Sequence, residues 1–147
     1  MAKEIKTEIL ILASPEKVWN ILTDFKIYPN WNPFIKFISG DPKAYRSINV
    51  TIQPPEKKAM KFSPKVLVYN LNKEFRWKGH FIIPGIFDGE HIFELINNKN
   101  GSTTFIQREV FGGILVPLLT KMLDVNTKNG FNLMNEKLKE QAESTKF

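Results

Sequence analysis

A chain of 147 residues suits one domain, and 42% hydrophobic against 24% charged residues is enough apolar material for a buried core, which excludes a disordered chain. The lack of any cysteine excludes a disulfide framework, a thiolate nucleophile and a cysteine-ligated metal. The net charge of +6 favours approach to anionic groups, but no zinc finger, helix-turn-helix or aromatic-basic repeat accompanies the densest basic run, Lys57, Lys58, Lys61 and Lys65, so nucleic acid is not an expected partner.

The chain opens with Met1-Ala2-Lys3-Glu4, without the sections of a signal peptide, and no apolar run reaches membrane-spanning length. A cytoplasmic location without integral membrane association is the expectation. Residues 4–12 alternate as a strand, with Ile5, Ile9 and Ile11 on one side. Ser14-Pro15 marks a helix start, since the hydroxyl can accept an orphan amide proton and proline loses nothing at the first helical position. Val18, Trp19, Ile21, Leu22 and Phe25 give that helix an apolar face ending near Asp24. The segment Tyr28-Pro29-Asn30-Trp31-Asn32-Pro33 follows. Its prolines restrict the backbone, so Trp31 serves either as part of a cavity wall or as a core plug.

Strands are expected at 34–39, 45–54, 60–70, 73–82, 87–97 and 102–112, separated by Gly, Pro and Asn clusters that favour turns. Short connections predict antiparallel neighbours, and there is no βα alternation of a nucleotide-binding sheet. After Gly112-Gly113 the period becomes helical. Leu115, Leu119, Met122, Asn126, Gly130, Leu133, Met134, Leu138 and Ala142 predict one long helix, with fraying from Glu143 to Phe147. Only the sheet can cover so long an element.

Strand parity identifies the inner face. A hairpin across the Asn-rich turn at 97–101 places His91 opposite Glu109, Phe93 opposite Gln107 and Leu95 opposite Phe105. The preceding turn sets Phe75 beside Phe93, Trp77 beside His91 and Gly79 beside Gly89, and the one before it sets Val66 and Val68 opposite Trp77 and Phe75. Arg76, Lys78, Glu90, Glu94 and Arg108 fall on the reverse, wet face. On the helix, Gly130 interrupts a bulky stripe at a cost of about 1 kcal/mol relative to alanine, either for close packing or to leave room for a ligand.

The inner face so defined gathers Val66, Phe75, Trp77, His91, Phe93, Gln107 and Glu109, opposite the helix side that carries Asn126 and Gly130. His91 and Glu109 are the candidates for acid–base work, because a facing imidazole and carboxylate can orient a tautomer and move a proton. A metal site is not expected: His80 has opposite parity to His91 and cysteine is absent. No cofactor is expected either, since Gly85-Ile86-Phe87-Asp88-Gly89 lacks the following helix that would aim amides at a phosphate.

The stretch Ala13-Ser14-Pro15-Glu16-Lys17-Val18-Trp19, then Asp24-Phe25 and Tyr28 to Phe34, resembles the opening of the START-like, or Bet v 1-like, superfamily, especially its polyketide cyclase/dehydrase (SRPBCC) branch. Phe87 to Leu95, Phe105 to Gly113 and Gly130 to Asn135 continue the resemblance over nearly the whole chain. It implies a single α+β domain over 1–147 with the helix-grip fold: a curved seven-stranded antiparallel sheet wrapped around the long C-terminal helix, with two short helices after the first strand. It also implies a ligand space between sheet and helix, for which the candidate ligand-contacting residues are Trp31, Phe62, Val66, Phe75, Trp77, His91, Phe93, Gln107 and Glu109, with Met122, Asn126, Gly130 and Met134 from the helix. Three functions fit: binding of a small hydrophobic molecule, lipid or aromatic compound, cyclase- or hydrolase-like catalysis, or a protein-interaction or co-chaperone role.

Overall fold

The computed structural model describes residues 2–144; the expected fraying of 145–147 lies outside them. Strand β1 (Lys3–Ile11) alternates as its sequence requires and leads to helix α1 (Pro15–Leu22), whose Ser14 hydroxyl accepts the Lys17 N–H at 3.2 Å. A 3₁₀ turn (Phe25–Ile27) and the one-turn helix α2 (Tyr28–Trp31) follow. The strands β2 (Ile35–Ser39), β3 (Asn49–Ile52), β4 (Met60–Phe62), β5 (Lys65–Asn70), β6 (Glu74–His80), β7 (Asp88–Asn97) and β8 (Thr103–Gly112) then build the sheet.

Pairing is antiparallel throughout, in the orders β1-β8-β7-β6-β5 and β2-β3-β4. The two parts join through the Ser47–Lys65 bridge and the bond from Ile48 N–H to Pro64 C=O at 2.9 Å, so they form one curved surface. The strand expected over 60–70 divides at Ser63-Pro64, where proline has no N–H for the ladder. There are accordingly eight strands among the described residues rather than seven. The strand expected over 45–54 is also shorter, because a 3₁₀ turn at Pro42–Ala44 and the left-handed Tyr45 delay its start.

The helix expected over 115–142 is a continuous run of three kinds of turn: α3 (Val116–Met122), a π turn (Leu123–Thr127) and α4 (Lys128–Ser144). The wide π turn shifts the buried stripe to Val116, Leu123, Thr127, Phe131, Met134, Leu138 and Ala142, leaving Leu133 exposed, in contrast to the regular spacing expected. The helix does not fray at Glu143. Its carboxylate accepts the Leu12 N–H at 2.7 Å and pairs with Lys139 at 2.5 Å, tying the helix end to the end of β1.

The hairpin register agrees with the parity argument: His91 faces Glu109, Phe93 faces Gln107 and Leu95 faces Phe105. Trp77 pairs with His91, Phe75 with Phe93, and Val66 with Trp77. Val68 does not oppose Phe75. A bulge between Val66 and Val68 inserts Leu67, so Tyr69 takes that place and packs its ring on Phe75 and on Trp19 of α1. On the convex face Arg76 bridges Glu74 and Glu90, and Arg108 bridges Glu94 and Glu4.

Candidate functional site

Between the concave sheet and the helix the core is mostly filled. Phe75, Phe93 and Phe105 are buried in a row of stacked rings, with Phe131 and Met134 of α4 buried in the same core. The cavity lies toward one end, where the sheet is lined by the glycine pair Gly79 and Gly89 and by β3 and β4. It encloses about 50 Å³. Its walls are Trp77, His80, Glu109 and Phe111 from the large sheet, Phe87 just before β7, Val50, Ile52, Met60 and Phe62 from the small sheet, and Met122, Leu123 and Thr127 from the helix, so His80 reaches the cavity edge despite its opposite parity to His91. The π turn thus supplies two wall residues, Leu123 and Thr127.

Glu109 is the sole carboxylate among the described lining residues, on a mostly apolar wall whose other polar side chains are His80 and Thr127. Gly89 makes room for it: a Cβ there would lie 2.2 Å from Glu109 Oε2. Oε1 sits 3.1 Å from His91 Nδ1, and among the described residues no donor reaches Oε2. The imidazole is fully buried behind Trp77, with the two ring planes 25° apart and centroids 5.0 Å apart.

A chain of hydrogen bonds continues inward from His91. Nε2 faces Gln107 Oε1 at 2.9 Å. Gln107 Nε2 donates to Asn135 Oδ1 at 2.8 Å and to the Phe131 carbonyl at 3.4 Å. Asn135 Nδ2 then donates to the Thr7 hydroxyl at 2.8 Å, which donates to the Gln107 carbonyl at 2.9 Å. The two carbonyls accept only, so they fix the orientation of both amides and leave Gln107 Oε1 as an acceptor toward the imidazole. Nε2 therefore carries a proton. The network ends beside the cavity, where Nδ1 and Glu109 Oε1 face each other at 3.1 Å.

The family profile described as polyketide cyclase/dehydrase and lipid transport matches residues 2–143. The chain belongs to this family. Among solved structures, the Zhui aromatase/cyclase from Streptomyces sp. R1128 superposes with a TM-score of 0.79 at 10% identity, covering 97% of this chain and 94% of that one. Norcoclaurine synthase from Thalictrum flavum, in complex with dopamine and hydroxybenzaldehyde, gives 0.75 at 12% identity over 100% and 90%. A START superfamily protein from Mycobacterium smegmatis gives 0.72 at 18% identity over 95% and 97%. At these identities the likeness establishes the helix-grip fold, and no curated protein matches.

Within this helix-grip frame the sequence-derived candidates divide into two groups. Phe62, Trp77, Glu109 and Met122 line the cavity. Val66, Phe75, Phe93, His91, Gln107 and Met134 lie behind the wall, in the core or in the polar chain. Trp31 is buried edge-on to Tyr28. Asn126 donates to the Pro55 carbonyl at 3.0 Å and holds the β3–β4 loop against the helix. Gly130 lies under the ring of Phe34, which occupies the space a side chain would need and itself lines the cavity. Phe34, Ile52, Met60, Phe87 and Thr127 were not singled out by sequence. The available signal was that Ile52 and Met60 stand in the two expected strands that flank the Pro54-Pro55 break.

Proposed function

We propose that this chain binds a small, mostly apolar molecule in the cavity, held at one point by a hydroxyl or ammonium group that donates to Glu109 Oε2. The observation that supports this is the partnerless carboxylate oxygen on a mostly apolar wall, backed by an imidazole that faces the other oxygen. Burial of apolar surface supplies the affinity, and the single acceptor supplies orientation. The space of about 50 Å³ is below the roughly 300 Å³ of a typical ligand pocket. Entry therefore displaces Met60 and Met122, whose unbranched side chains repack at little cost.

Titration followed by Trp77 fluorescence, with aromatic alcohols and amines and their analogues lacking the donor, tests the reading. The donor-bearing compounds bind more tightly than the analogues, by about tenfold for one charge-assisted bond. Glu109→Gln removes most of that difference. Equal affinity of both series for the wild-type protein contradicts the proposal.

A second reading, acid–base catalysis, rests on the facing pair: a substrate at Oε2 would meet a carboxyl group within hydrogen-bond reach of the His91 imidazole. The solved relatives named for cyclase and synthase activities are compatible with it. His91→Phe would then abolish turnover of a bound compound while leaving its affinity within a few fold. If both variants lose only affinity and no compound is turned over, binding alone is the function.

A further inference from the structure

The rim of the cavity differs from the rest of the surface. The β6–β7 loop exposes Phe81, Ile82 and Ile83, and the segment entering α3 exposes Ile114 and Leu118, with Ile82 75% and Leu118 81% accessible. Backbone bonds from Ile114 N–H to Gly85 C=O and from Leu115 N–H to Ile86 C=O, both 3.0 Å, hold the two segments together as one apolar ridge. Ile114 and Leu118 are four residues apart and share a face as α3 begins, and exposed Lys121 follows one turn later. Phe81 reaches back to the cavity wall through its ring contact with Phe62.

On the other side of Phe62 lies the β3–β4 loop, which exposes Lys57, Lys58 and, on β4, Lys61. None of these lysines, nor Lys121, forms a salt bridge among the described residues, whereas the convex face pairs Arg76 and Arg108 with four glutamates. The acids nearby are Glu56, Asp88, which accepts the Gly85 N–H, and Asp124, which is paired with Lys3. Uncompensated positive charge and exposed apolar side chains therefore gather at the same end, around the opening.

We propose that this end docks on an anionic lipid bilayer. The ridge of Phe81, Ile82, Ile83, Ile114 and Leu118 inserts at the boundary between headgroups and acyl chains, and Lys57, Lys58, Lys61 and Lys121 lie against lipid phosphates. A second copy of the chain fits this surface less well, because a two-fold contact would bring the same lysines together. The inference does not depend on what occupies the cavity.

Co-sedimentation with vesicles tests it, comparing phosphatidylcholine alone with a phosphatidylcholine–phosphatidylglycerol mixture. The wild-type protein binds the mixture, weakly binds phosphatidylcholine, and loses affinity as salt rises. Ile82→Asn with Leu118→Asn lowers affinity for the mixture by at least about tenfold. Asparagine suits the left-handed backbone at residue 82, so thermal melts of this variant stay near wild type. Lys57→Gln with Lys58→Gln lowers affinity by about fivefold per charge and flattens the salt dependence. The proposal is overturned if the wild-type protein stays in the supernatant with both vesicles. It is equally overturned if the Asn variant binds as wild type, or if light scattering shows a wild-type dimer that this variant dissociates.

Discussion

Replacing Gly130 with alanine sets two effects of opposite sign against each other. Alanine in a helix interior is favoured over glycine by about 1 kcal/mol. Against this, the added Cβ would lie 2.4 Å from Cδ1 and 2.7 Å from Cε1 of Phe34. That is about 1 Å inside ordinary carbon contact. The ring has little freedom to retreat: it is buried edge-on to Phe131 at 5.3 Å, and the Phe34 N–H is held by Asn32 Oδ1 at 2.9 Å. Overpacking costs about 1–3 kcal/mol, and a rigid ring with two atoms in conflict belongs at the upper end. The expected net effect is a destabilisation of about 1–2 kcal/mol, or a fall in Tm of about 3–8 °C for a domain of this size. Scanning calorimetry on the wild-type protein, Gly130→Ala, Phe34→Leu and the double variant measures it. The smaller Leu relieves the contact, so the penalty of Gly130→Ala shrinks or reverses in that background. A rise in Tm for the single variant, or the same change in both backgrounds, refutes the packing account.

Thr7→Val keeps the shape of the side chain but leaves Asn135 Nδ2 without an acceptor and removes the donor to the Gln107 carbonyl. Urea unfolding should show a loss of about 2 kcal/mol with an unchanged slope. The Leu12 N–H and Lys139 hold Glu143 below its ordinary pKa of 4.5. Its contribution is therefore present above that value and fades as pH falls through the lower folded one. The Glu143→Gln variant accordingly shows faster hydrogen exchange at Leu12 at neutral pH, and its difference from wild type vanishes in acid. Met122→Ala removes a flexible wall side chain at a cost of about 2 kcal/mol or less for this half-buried position. It should tighten binding of larger apolar compounds several-fold in the fluorescence titration, and unchanged selectivity would show that Met122 does not limit the cavity.

The pairing of β6, β7 and β8 was legible because alternation assigns each side chain to a face and tight turns fix the register. His91, Gln107 and Glu109 could be placed on one concave row from parity alone. Their separation into a sealed imidazole and a cavity-facing carboxylate could not, since it depends on Trp77 lying over one and Gly89 yielding to the other. The bulge at Leu67 left no mark in an apolar run where Val66, Leu67, Val68 and Tyr69 all suit a strand. Half of the cavity wall escaped for a related reason. Ile52 and Met60 read as ordinary strand residues, and only the curvature of the small sheet aims them at the helix.

The π turn has a consequence for how the helix can vary. A π turn is an α-helix carrying one surplus residue, so deleting any one of Leu123–Thr127 would restore regular α-helical bonding without breaking the chain's path. It would also rotate everything upstream by roughly 100° relative to α4. Met122 would leave the cavity and Leu118 would change its heading, while the contacts of Met134, Leu138 and Ala142 with the sheet stayed in place. That single residue acts as a phase adjuster, through which insertion or loss could remodel the mouth of the molecule while sparing its core.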